Sequence, residues 1–251
     1  MTLSSGADRA RAMSRRVQRA LGRLGLLELD GGMRVVRLLD RALVHRVERV
    51  DDDHDPRLLH PARTVLILLD DVECRSPELL AAGAVLESRF PEMELPREGL
   101  LEEAWTEGLL LDASTEDALP DASTGGSLPL GWTEGPEPGW ILHLRDLPRP
   151  WPTSAEISEP TSEDAASVGP DSELLEALVG LPPGPLSVVL AEALDQLRHL
   201  HMEAGRPGLP RGVELVRQVY RPLAVRVARE APVLLRRFDW WEQRLGRVVE
   251  G

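Results

Sequence analysis

The sequence predicts an all-α protein, on two features of composition and one of pattern. Aromatic residues make up only 4% of the 251 positions while hydrophobic residues make up 42%. The interior must therefore be built mostly from Leu, Val and Ala, the composition of packed helices. Outside an acidic middle region, apolar residues recur at intervals of three and four, the period of a helix with one buried face. The length fits one large domain or two small ones, and we read a single helical domain over 1–251 with an insertion at 92–170. No internal repeat is evident.

The elements follow in order. Over 7–28, Ala10, Met13, Val17, Leu21, Leu24 and Leu27 form one stripe with Arg on the other face. Further helices are predicted at 32–50, 60–70, 76–89, 171–180, 184–203, 211–229 and 231–248. Ser76-Pro77-Glu78 supplies an N-cap and a first-turn proline for the fourth of the whole set. Gly180–Gly184 and Gly205–Pro210 are breaks. Between helices four and five the chain changes character: residues 92–178 carry a net charge of −17 while the rest carries +4. The Ser/Thr/Asp/Glu/Pro tracts 112–129 and 152–172 are too polar to bury and are expected to be loops or disorder. The run Gly139–Arg145, after the turn-prone Glu134–Pro138, reads as part of a short β-hairpin or as a loop anchored by Trp among Trp132, Trp140 and Trp151.

All 29 basic residues are Arg, and the chain has no Lys and no Asn. That excludes Schiff-base chemistry, a phosphate-loop or kinase-type lysine and N-glycosylation, although a GC-rich codon pool gives the same bias without selection. Cys74 is the single cysteine, so no intramolecular disulfide and no cysteine-based zinc site can form, which fits a cytoplasmic location. No apolar run approaches the roughly 20 residues that cross a bilayer, and the Arg-rich start lacks the apolar stretch of a secretory signal, so no membrane association is expected.

Six histidines occur, at 45, 54, 60, 143, 199 and 201. His60 stands out by its setting, Leu58-Leu-His-Pro61 opening the helix Ala62–Leu69. This resembles the His-Pro helix of the HD-superfamily hydrolases that remove pyrophosphate from the alarmone (p)ppGpp. Three further segments are similar to that family in the same order: Leu79–Glu87, Leu190–Leu200 and Val213–Ala228. The resemblance covers 32–89 and 171–248 and implies an HD-domain-like helical bundle interrupted by the acidic insertion.

In that family a divalent ion, commonly manganese, is held by two His and two Asp and activates a water for attack on phosphorus. The resemblance implies that His60 matches the first ligand, while the His-Asp pair falls on Leu86 and Glu87 and the last Asp on Glu192. Leu cannot bind a metal, so what remains is a reduced set of His60, Glu87 and Glu192, or else two surface carboxylates and a helix-capping histidine. The Glu-Asp pair that handles the attacking water falls on Phe90 and Pro91, and the basic nucleotide loop is replaced by Asp51–Asp55. Gln196 and His199 stand where Asn and Thr would. The resemblance thus implies a degenerate HD-domain protein without alarmone hydrolysis, a binding or regulatory module for a protein partner or a nucleotide, with either no cofactor or one divalent metal. The alternative is an active metal-dependent phosphohydrolase using His60, Glu87 and Glu192 on another nucleotide or phosphoester.

Other candidates read as ordinary. Asp51–Asp55 lacks an alternating, glycine-turned calcium pattern and is expected to be a solvated loop. His199 and His201 point about 200° apart on a helix and are expected at the surface. Ser4 and Ser5 have no triad partners. Arg is concentrated at both ends, but the overall charge of −13 opposes nucleic-acid binding, and the basic ends are expected to dock on the acidic insertion, or the insertion on a protein partner.

Overall fold

The computed structural model describes residues 5–29, 31–95, 144–151, 170–202 and 208–250. All regular structure among them is helical, and no described helix is long and apolar enough to cross a membrane. The elements are α1 (Gly6–Arg23), α2 (Gly32–Val47), α3 (His60–Asp70), α4 (Pro77–Val85), α5 (Pro170–Val179), α6 (Pro183–Met202), α7 (Leu209–Leu215), α8 (Arg221–Arg226) and α9 (Pro232–Glu250). The tracts at 112–129 and 152–169 and the run 139–143 lie outside the described residues. Leu144 and Arg145, at the end of the run read as strand or Trp-anchored loop, are helical, and Trp151 is buried.

Caps set several boundaries. Ser5 caps α1 by accepting from Asp8 N at 3.2 Å, and Ser76 caps α4 by accepting from Leu79 N at 3.3 Å, as its position before Pro77 predicted. Two glycines turn the chain from α1 into α2. Gly31 sits at φ +87°, and a Cβ on Gly32 would lie 1.9 Å from Leu26 O, so no other residue fits there. Helix α7 runs into α8 through a π-turn at Val216–Tyr220. Pro222 follows it, and its missing N–H and bulky ring cannot be accommodated in a regular α-helical ladder.

The core is aliphatic, as the composition requires, with α6 at its centre: Leu186 to Leu197 are all buried, polar residues included. A helix covered on nearly all sides carries its polar residues inward, and that is where the site forms. Gly83 lets α4 approach α3 closely, since a Cβ there would come within 2.5 Å of Leu68 Cδ1. The π-turn side is closed by Tyr220 stacked on Phe238 at 5.8 Å between ring centroids. Cys74 is buried, and that burial pushes its thiol up to about 12, leaving it unreactive.

Candidate functional site

Four elements converge on a buried polar centre. The first is the start of α3. The 3₁₀ turn Pro56–Leu59 is capped by Asp55, which accepts from Arg57 N at 2.7 Å, and it delivers His60 to the first helical position with no exposure to solvent. The second is the segment after α4. That helix ends at Val85, four residues earlier than periodicity predicted, and Leu86 is extended. Phe90 precedes Pro91 and so is disfavoured in a helix, while the Glu87 carboxylate accepts from Arg89 N at 3.0 Å and Phe90 N at 2.9 Å, fixing a turn in its place. The third is α6, where Glu192, Asp195, Gln196 and His199 share one face at helical spacing. The fourth is Arg46 on α2, which bonds Glu87 Oε2 at 2.5 Å and Arg57 O at 2.9 Å.

His60 is the hub. Its Nδ1 lies 2.7 Å from Asp195 Oδ2, so that nitrogen donates to the carboxylate and Nε2 is the ring nitrogen left facing the other carboxylates. Nε2 is buried without a hydrogen-bond partner and faces Glu192 Oε1 at 3.6 Å and Glu87 Oε2 at 4.0 Å. Both separations are too long for a hydrogen bond. Gln196 Nε2 joins the two carboxylates, donating at 2.9 Å to each, and Ser88 donates to Glu192 from its amide at 3.1 Å and its hydroxyl at 2.8 Å.

Charge does not balance in this centre. The guanidinium groups of Arg46 and Arg63 stand against the carboxylates of Glu87, Glu192 and Asp195 around His60, so the guanidinium groups alone leave one negative charge uncompensated. A buried net charge has to be neutralised by a proton or a cation. Burial works to raise Glu87, but Arg46 and His60 beside it outweigh that and bring it down to about 2. Burial raises Glu192, and the charge on Glu87 adds to the rise although His60 opposes it. Of the two carboxylates that face His60, Glu192 is thus the more readily protonated.

The donor set also fits a cation. His60, Glu87 and Glu192 each offer a ligand atom, all within 4.8 Å of one another. Donors bound about 2.1 Å from one ion lie about 3.0 to 4.2 Å apart, a range that covers the His60–Glu192 and His60–Glu87 separations. The link from His60 Nδ1 to Asp195 is the carboxylate–histidine arrangement that orients metal-binding imidazoles. A second trio within 4.8 Å is His60, Asp195 and His199, where Arg63 plays the part that Arg46 plays beside Glu87. Arg63 donates to Asp195 Oδ1 at 2.6 Å and also to His199 Nε2, leaving no lone pair there for a metal.

The structure brings His60, Glu87 and Glu192 together, and all three are buried, not surface carboxylates beside a helix-capping histidine. His199 is corrected: it is 1% exposed, because α6 is enveloped and its polar face points inward. Burial together with Arg63 and His60 lowers it to about 4 against the pull of Asp195. His201 is half-buried against Trp241, 6.0 Å between ring centroids. In the loop, Asp51 to His54 are exposed as expected, but Asp53 also accepts from Gly6 N at 2.6 Å and ties the loop to α1. Phe90 lies under the guanidinium groups of Arg57 and Arg89 at 5.0 and 4.8 Å from its centroid. Sequence reasoning missed Arg46, Asp195, Ser88 and Arg63, of which only Asp195 carried a signal, its place three residues after Glu192.

The cavity beside Glu87 and Ser88 has a volume of about 30 Å³ and is lined by Leu144, Arg145, the residues 147–150 and Tyr220. No protein-family model matches this chain, and no curated protein or solved structure matches it either.

Proposed function

We propose that the protein is a degenerate HD-like module that does not hydrolyse alarmones, with the old catalytic centre serving as a closed site for one divalent ion, and that it acts by binding. The observation that carries this reading is the closure of the centre. His60, Glu87 and Glu192 are at most 2% exposed, and the adjoining cavity of about 30 Å³ has room for a water or two but not for a phosphoester. No carboxylate or imidazole stands ready as a base at Phe90 or Pro91. His60, Glu87 and Glu192 would hold the ion, manganese by preference of two carboxylates and one imidazole. Such an ion would supply the missing positive charge, and in an open site it would acidify a bound water. Here Asp195 orients His60, and Gln196 with Ser88 fixes both carboxylates whether or not an ion is bound. A protein partner met through the acidic insertion remains part of this reading, on its charge of −17 over 92–178.

The test is metal analysis of the purified full chain, followed by manganese titration and a screen for phosphate release from nucleotides and phosphoesters with manganese present. One manganese per chain, lost in Glu192→Gln, with no phosphate release, is the expected result. Release that disappears in His60→Ala establishes the phosphohydrolase alternative instead. Failure to bind any divalent ion removes the metal from the proposal and leaves a proton as the neutralising charge.

A further inference from the structure

The two Arg-rich ends of the chain meet. A cleft of about 670 Å³ opens between α1, α3, α6 and α9, on the Asp195 side of His60 and apart from the small cavity at Glu87. Six guanidinium groups line it: Arg9 and Arg16 from α1, Arg63 from α3, Arg198 from α6, and Arg236 and Arg237 from α9. Three carboxylates also line it, but Asp195 is held by Arg63 and Asp71 by Arg237 at 2.9 Å, which leaves Asp70. Among the described residues, no hydrogen-bond or ionic partner engages Arg16, Arg198 or Arg236. Arg9 bonds only a backbone carbonyl, that of Asp53.

Taken with Asp70, Asp71 and Asp195, the six Arg give the cleft wall a net charge of +3 in a chain of net charge −13. Like charges gathered on separate helices repel one another, so the arrangement is unfavourable unless an anion joins them. The volume falls within the usual range for small-molecule sites, about 300 to 1,000 Å³. Trp240 and Trp241 form an aromatic wall, with the two rings edge to face at 4.7 Å between centroids. A concave site of this size with several convergent guanidinium forks suits a compact, multiply charged oxyanion, since each fork can donate two parallel hydrogen bonds to a phosphate.

We propose that this cleft binds a small polyphosphate-bearing molecule, with Arg16, Arg198 and Arg236 as its principal anion contacts and the Trp240–Trp241 wall beside it. The proposal stands apart from the metal reading, because it uses none of His60, Glu87 or Glu192. The probe is inorganic tripolyphosphate, titrated into the full chain with calorimetry and tryptophan emission as the two readouts. Binding at one equivalent is expected, with an emission change that is lost in Trp240→Phe. The exposed pair Arg198→Ala and Arg236→Ala together should weaken binding by about tenfold or more while the helical circular-dichroism spectrum is unchanged. Undetectable binding at millimolar tripolyphosphate overturns the proposal. So does a double variant that binds as tightly as the parent, and so does a single-stranded oligonucleotide that binds more tightly than tripolyphosphate, which would make the basic face a nucleic-acid surface.

Discussion

The centre around His60 and the cleft behind it are both crowded with charge, yet they are built on opposite principles. In the centre every guanidinium is paired: Arg46 with Glu87 at 2.5 Å, Arg63 with Asp195 at 2.6 Å, with side chains 12% exposed or less throughout. In the cleft, Arg16, Arg198 and Arg236 are exposed and without protein partners among the described residues. Charge removed from water must be matched within the fold, whereas charge left in water can be kept for something outside the fold. Arg63 and Asp195 belong to both regions, forming the floor of the cleft and the support of His60. One consequence is that the same substitution, Arg to an uncharged residue, should have very different effects on stability in the two places.

The largest effect is expected at Arg46. Replacing it with Met keeps most of the apolar stem but leaves Glu87 as an unpaired charge with no exposure, and removes the bond to Arg57 O. Breaking a buried pair on one side costs about 3 to 5 kcal/mol. Urea denaturation of Arg46→Met should show that loss, and the double variant Arg46→Met with Glu87→Gln should recover part of it. A loss below about 1 kcal/mol would mean that water reaches Glu87 and that the centre is not closed.

Acid should find the centre next. His199 is neutral in the folded protein and lowered to about 4, while its unfolded form titrates near 6.5. As pH falls through that interval the unfolded state takes up the proton first, so stability is lost between about 6.5 and 4, on the order of 3 kcal/mol in full. Glu87, lowered to about 2 from 4.5, contributes stability that is present above 4.5 and lost as pH falls from there toward 2. Glu192, raised by burial, acts in the opposite direction and returns part of the loss, because its folded form takes the proton more readily. Urea midpoints measured from pH 7.5 to 4 should therefore decline, and His199→Gln should flatten the upper part of that decline. A midpoint that is flat from pH 7 to 4.5 in the parent chain would refute the buried, neutral His199.

The two regions were unequally legible in the sequence. The helical class and the helix at 60–70 followed from composition and periodicity, because amphipathic helices advertise their buried stripe. His60, Glu87 and Glu192 could be placed together only through a linear resemblance, since nothing in spacing alone brings the start of α3 to the middle of α6. His199 was misread for a physical reason. A helix buried all round has no solvent face, so polar residues at intervals of three and four look like a surface stripe when they in fact line the interior. Arg46 was invisible because it is one Arg among many on a basic helix, and only burial distinguishes it. The early end of α4 was hidden by Leu86, whose apolar side chain continues the helical pattern although its backbone is extended. The meeting of the basic ends in one cleft is a property of topology that no local pattern encodes.

The smallest effect is the one that most sharply separates the two regions. Arg198→Ala and Arg236→Ala remove charges that are exposed and bond to no described residue, so each should change the stability of the ligand-free chain by no more than about 0.5 kcal/mol. The sign should be favourable if anything, because each variant relieves repulsion among the cationic groups of the cleft. Added salt should mimic the substitutions, since exposed charges within a Debye length of about 8 Å are screened at physiological ionic strength while the Arg46–Glu87 pair is sheltered from it. Thermal unfolding of both variants and the parent at low and high salt measures this directly. A loss above about 1 kcal/mol in either variant would show that its guanidinium is part of the fold's own charge network, and the contrast between a matched interior and an unmatched cleft would then fail.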